Sequence, residues 1–205
     1  MSSTETPQTV VEFWFGPEAG NADDAAIAER QAALWWRKDP ATDSAIRRRF
    51  EDVITEAAMG ALDPWAQTPT GRLALILLTD QCSRNIYRDT KAAFGHDPLA
   101  LAWCKEGLHR GDDARLRPIE RVFFYLPLEH SESRPDQERS VALYRALSES
   151  VPAPQRPVFD GFLDFALRHR DIVERFGRFP HRNRLLGRAS SPQELAFLEQ
   201  PGSSF

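Results

Sequence analysis

Proline and glycine mark the ends of helix-period segments along this chain, and that punctuation constrains the fold more than any other feature. Thr68-Pro69, Asp97-Pro98 and Pro118 each open such a segment, while Gly60, Gly111, Gly177 and Gly187 each follow one. Proline suits the first helical turn, where its missing N–H would go unbonded, and glycine suits the residue past the end, which often needs left-handed backbone. Between the marks the apolar residues keep a 3.6-residue period, as in Ile46, Phe50, Val53, Ile54 and Ala57. Sustained β-branched alternation with hairpin turns is missing. The spacing therefore predicts an all-α fold, an antiparallel array of helical hairpins forming one domain over residues 1–205.

Taken in order, the expected helices cover about 24–38, with Ile27, Leu34 and Trp35 on one side and Asp39-Pro40 as the stop, and then a segment from Asp43. Another runs from Pro69 to about Tyr87. The helix after Asp97 carries Leu101, Cys104 and Leu108; the one after Pro118 carries Ile119, Val122, Phe123 and Leu126 and ends or kinks at Pro127. Val141, Tyr144 and Leu147 mark the next. A long helix spans 158–176, a short one 180–186, and Ser191-Pro192-Gln193-Glu194 is a capping box for the last. The segment 10–15 is aromatic and plugs into the core, and the tail from Gly202 is loosely held. No fixed-period repeat is visible, so a solenoid does not follow from periodicity.

Composition narrows the function classes. A formal net charge of −4 argues against attraction of the whole chain to nucleic acid or an anionic membrane, and the aromatics keep core spacing rather than interleaving with a basic stripe. The longest aliphatic run, Leu73 to Leu78, is far short of the roughly 20 residues of a membrane span. Residues 1–8 have no basic start or apolar stretch, so no export signal is expected. With Cys82 and Cys104 alone, a reduced protein in the cytoplasm is the expectation.

The polar residues that could carry chemistry fall into three clusters. Arg175 to Asn183 packs Arg178, His181, Arg182 and Asn183 among phenylalanines, within a stretch from Arg156 to Arg188 that holds eight Arg against four acidic residues. This stretch ends the stripe Val158, Phe162, Phe165, His169, Ile172 and Phe176, which His169 interrupts. On the helix from Leu73, the stripe turns polar at Asp80 and Arg84, spaced for an i,i+4 ion pair, with Gln81 and Asn85 beside them. Glu129-His130 follows Pro127 at a helix end. Each cluster also has a structural reading, as an ion pair closing a buried helix, a core histidine on a carbonyl, or surface residues. No HExxH or paired cysteine points to a metal, and no glycine-rich phosphate loop, dinucleotide fingerprint or nucleophile elbow points to a cofactor.

Several long strings in order, Val11 to Gly16 (VEFWFG), Leu77 to Arg88 (LLTDQCSRNIYR), Glu120 to Glu132 (ERVFFYLPLEHSE) and His169 to Arg188 (HRDIVERFGRFPHRNRLLGR), resemble the bacterial family known as domain of unknown function 924. The resemblance spans nearly the whole chain. It implies an all-helical, tetratricopeptide-like superhelix and supplies no catalytic residue.

The residues themselves support one main expectation: a pocket binding a small anionic molecule or a peptide carboxylate. In it Gln81, Arg84, Asn85, His130, Arg178, Arg182 and Asn183 bind, and His169, His181, Glu129 and Asp80 supply any proton transfer, without metal or cofactor. A peptide-binding scaffold without catalysis is the alternative, and an internal network that fixes helix packing is the third reading. Oligomeric state is not legible in the residues.

Overall fold

The computed structural model describes residues 5–17 and 22–203, so the expectations for the first four residues and for residues 204 and 205 lie outside the described part. The fold is all-α, with no strand among the described residues. The helices are α1 (Pro7–Phe15), α2 (Asp24–Trp36), α3 (Pro40–Ala58), α4 (Pro69–Ile76), α5 (Ser83–Ile86), α6 (Asp97–Arg110), α7 (Pro118–Glu129), α8 (Arg134–Ser150), α9 (Arg156–Phe176) and α10 (Pro192–Leu198). Between α4 and α5 the helix continues as a π-helical segment, Leu77–Cys82. Among the described residues no helix is long and apolar enough to cross a membrane.

The proline and glycine punctuation holds in kind and differs in detail. Asp39-Pro40 does not merely stop α2. Pro40 occupies the first turn of α3, and the Asp39 carboxylate accepts from the amides of Ala41 (3.3 Å) and Thr42 (3.2 Å), so the pair is a helix start. The short helix expected over 180–186 shrinks to a 3-10 turn, Pro180–Arg182. Asp97-Pro98 does open α6, with residue 96 in the capping position and Asp97 inside the first turn. Ser203 in the tail is not loose: it is buried and donates to the Leu198 carbonyl at 3.1 Å.

The core is built around α4. From Arg72 through Asp80 every residue is 0% exposed, because α1, α6 and α7 wall α4 while α3, α6 and α7 wall the π segment that follows it. Leu73, Leu75, Ile76, Leu77 and Leu78 contribute about 1.5–3 kcal/mol each by leaving water. A ring cluster of Trp14, Phe15, Trp35 and Phe123, edge to face at centroid separations of 4.6–5.7 Å, ties α1 and α2 to α7. Along the rest of the chain α6 packs on α7, α7 on α8 and α8 on α9, a succession of neighbouring helices joined by short loops.

A helix buried on all sides must satisfy its polar groups internally. The Arg72 guanidinium lies between the Asp112 carboxylate (2.9 Å) and the Ala66 carbonyl (2.8 Å), in space that only a glycine at 107 leaves open. A Cβ at Gly107 would sit 2.4 Å from Arg72 Cδ and 2.5 Å from Phe124 Cζ. Lower on the same helix, Thr79 donates to the Leu75 carbonyl at 2.7 Å and Ser83 to the Leu78 carbonyl at 3.2 Å. The next polar residue after Thr79 is Asp80, and there the backbone is π-helical.

Candidate functional site

π turns are rare and costly, and they recur where a helix must re-aim a side chain. Here the wider turn carries Asp80 and Gln81, fully and largely buried, against the C-terminal end of α7. Asp80 Oδ1 lies 2.7 Å from Nδ1 of His130, the residue just past α7, and Oδ2 accepts from the Gln81 amide at 2.5 Å. Burial would raise the Asp80 carboxyl, but the Arg84 charge and the hydrogen bonds from His130 and Gln81 outweigh it and hold the group below the usual carboxylate range. An ionised Asp80 fixes the His130 tautomer: Nδ1 carries the proton and donates, and Nε2 keeps its lone pair. The His130 side chain is 13% exposed, and burial together with the Arg84 charge pushes its pKa down from 6.5, so the ring is neutral near pH 7.

Arg84 does meet Asp80, at 3.7 Å, as the i,i+4 spacing suggested, but its shorter partner was not foreseen. Its guanidinium makes two parallel bonds to Asp97, at 2.7 and 3.1 Å, and a third to the Ala93 carbonyl at 3.3 Å. Arg182 reaches the same carboxylate from the other side, NH1 to Oδ2 at 3.5 Å, so two arginines share one aspartate. The Arg182 guanidinium lies between the rings of Phe94 and Phe179, 4.8 and 4.5 Å from their centroids. It is 7% exposed, and among the described residues its Nε has no hydrogen-bond partner. Burial and the nearby Arg84 charge lower it from 12.5 to about 10, which still leaves it protonated at neutral pH.

Two more histidines close this group. His169 and His130 have ring centroids 6.1 Å apart, and His169 stands edge-on to Phe179 at 5.5 Å, which in turn faces His181 at 5.7 Å. Nδ1 of His169 donates to the Phe165 carbonyl at 2.8 Å with Glu129 Oε1 at 3.1 Å beside it, which is the core-histidine arrangement rather than that of a free base. Burial, followed by the positive charges around it, lowers His169 to about 3 and His181 to about 4. Burial, and then the Asp80 charge, raises Glu129 to about 8, so it is a neutral acid at pH 7.

Of the eleven residues expected at the site, Asp80, Gln81, Arg84, Glu129, His130, His169, His181 and Arg182 meet in one connected network. Three do not join it. Asn85 turns to α3 and donates to Asp43 at 2.9 Å; Arg178 is taken up by Glu194 in a bidentate pair at 2.6 and 2.8 Å; Asn183 bonds Ser190 at 3.0 Å and Arg188 at 2.9 Å. All three are structural ties. Asn85 ties α5 to α3, while Arg178 and Asn183 hold the 3-10 turn and α10 in place together with Glu132, which accepts from the Phe179 amide (2.8 Å) and from Arg188 (2.6 and 2.9 Å). Asp97, Phe94 and Phe179 belong to the network and were missed. Asp97 was hidden because Asp-Pro reads as a helix start, and its bonds to Arg84 and Arg182 show only in the structure.

Among the described residues no three His, Cys, Asp or Glu side chains group as a metal ion requires. A cleft of about 160 Å³, lined by Val11, Glu12, Thr70, Arg117 and Glu120 among others, lies toward the other end of α7. Glu120 and His130 are ten residues apart, which is about 15 Å along a helix. Both buried thiols, Cys82 and Cys104, are pushed up by burial and stay protonated.

Comparisons with known proteins agree with this chain's architecture. A family model described as a bacterial protein of unknown function matches residues 10–202. The solved structure of a protein of unknown function from Agrobacterium tumefaciens is 39% identical, aligns with 86% of this chain and 99% of its own, and superposes with a TM-score of 0.73. No curated protein matches. The chain therefore belongs to the bacterial family of domain of unknown function 924.

Proposed function

We propose that this protein binds a small molecule bearing a carboxylate or phosphate group, held between Arg84 and Arg182. The observation that carries this reading is Arg182: a guanidinium that is 7% exposed, lies 3.5 Å from the Asp97 carboxylate that Arg84 also holds, and has an Nε with no acceptor among the described residues. Leaving a buried charged donor without an acceptor costs about 1–3 kcal/mol or more, and a planar anion supplies what it lacks. Asp97 already offers one carboxylate to this pair, and a ligand would add the second. Phe94 and Phe179 keep the guanidinium plane fixed and exclude water, which strengthens the attraction.

Isothermal titration of the purified protein with inorganic phosphate and with succinate tests the reading. Saturable binding is expected for one of them, lost in Arg182→Gln and retained in Arg178→Ala, whose guanidinium is already engaged by Glu194. Binding that survives Arg182→Gln unchanged, or no binding of either anion, overturns it. Should only a peptide ending in a free carboxylate bind, the peptide-scaffold reading takes its place.

A further inference from the structure

Of His130 and His169, His130 is the one built as a base. His169 spends Nδ1 on a backbone carbonyl and a protonated carboxyl deep in the core, whereas His130 Nδ1 is held by the carboxylate of Asp80 at 2.7 Å. Asp80 is itself locked by Gln81 and by the π turn, and its 0% exposure keeps water from competing for the hydrogen bond. The two ring nitrogens point away from each other, so Nε2 faces away from Asp80. Among the described residues Nε2 makes no hydrogen bond, and the side chain keeps 13% of its surface in contact with solvent. Carboxylate, imidazole and an open Nε2 form the orienting and base parts of a hydrolytic triad, to which a water molecule would supply the nucleophile.

We infer that Asp80 and His130 form a general-base dyad, His130 acting as the catalytic residue and Asp80 as its positioning residue, on carboxylate- or phosphate-bearing esters held by Arg84 and Arg182. The inference rests on the anion-binding reading above. Arg84 links the two parts, since it lies 3.7 Å from Asp80 and is bonded to Asp97, which Arg182 also contacts. In the step, Nε2 takes a proton from a water molecule as the water oxygen bonds to the ester carbonyl carbon. The carbon–oxygen bond to the leaving group then breaks, the alkoxide or phenoxide departs with the electron pair, and the imidazolium gives its proton to that group or to solvent. No oxidant, reductant or other co-reactant enters.

The probe is mono-p-nitrophenyl succinate, an ester with a free carboxylate, measured against neutral p-nitrophenyl acetate. The expected result is hydrolysis of the charged ester by the wild-type protein. It is faster than that of the neutral ester at equal concentration, rises with pH as His130 loses its proton, and drops about 100-fold in His130→Gln. Unchanged hydrolysis in His130→Gln overturns the dyad, and so does an absence of hydrolysis in wild-type protein that binds succinate; in both cases the anion reading stands. Conversely, His130-dependent hydrolysis without preference for the charged ester overturns the link to the arginines. Because Asp80→Asn alters a buried charge and can unfold the chain, the role of Asp80 is read in the wild-type protein. Nitrogen-15 NMR at pH 7.5 is expected to show His130 protonated on Nδ1 alone; the Nε2-protonated tautomer overturns the assignment.

Discussion

Replacing Asp97 by alanine tests how the network is held together. The carboxylate accepts two bonds from Arg84 (2.7 and 3.1 Å) and one from Arg182 (3.5 Å), whose side chains are 18% and 7% exposed. Without it, Arg84 retains the Ala93 carbonyl and the more distant Asp80, while Arg182 keeps only ring contacts among the described residues. Removing one partner of a buried ion pair costs about 3–5 kcal/mol, because the other charge stays behind unpaired. For a chain of 205 residues, at roughly 2–4 °C per kcal/mol, the melting temperature should fall by about 6–20 °C. The variant also opens a hole shaped for a carboxylate beside two guanidiniums. Acetate should fill it, and at 100 times its dissociation constant should return about 2.7 kcal/mol. Differential scanning fluorimetry of wild type and Asp97→Ala, with acetate and with chloride at equal ionic strength, reads both effects. A melting temperature within 2 °C of wild type, or an acetate shift equal in the two proteins, would refute the reasoning.

Two further outcomes follow from the same packing. Gly107→Ala forces a methyl to within 2.4 Å of Arg72 Cδ and 2.5 Å of Phe124 Cζ, so it should cost about 1–3 kcal/mol in urea unfolding, and more if Arg72 loses Asp112. Wild-type stability should be greatest between about pH 6 and 7. His169 and His181, lowered from 6.5 to about 3 and about 4, contribute stability that is present above 6.5 and lost as pH falls through those values, at up to about 1.4 kcal/mol per pH unit each. Glu129, raised from 4.5 to about 8, contributes stability that is present below 4.5 and lost as pH rises through 8. Glu129→Gln should remove the alkaline loss and His169→Gln should make the acid limb shallower; a urea midpoint that is flat from pH 4 to 8 would contradict both.

The helices were legible because their signals are local. A proline in the first turn or a glycine beyond the last one acts within four residues, and so the all-α class, most helix ends and the capping box at Ser191 could be read directly. Asp80, Arg84 and His169 were visible for a related reason, since each breaks an apolar stripe and a stripe is itself a local pattern, while Glu129, His130 and Arg182 stood out as short polar runs at helix ends. Tertiary structure decided which partner each of them takes. Arg84 bonds an aspartate 13 positions away and Arg182 one that is 85 away, while Arg178, Asn85 and Asn183 are drawn off to Glu194, Asp43 and Ser190. Nothing local announces such pairs, because a guanidinium selects among carboxylates by distance and desolvation rather than by position in the chain. The π turn at Leu77–Cys82 is of the same kind: only close packing on α3, α6 and α7 aims Asp80 at His130.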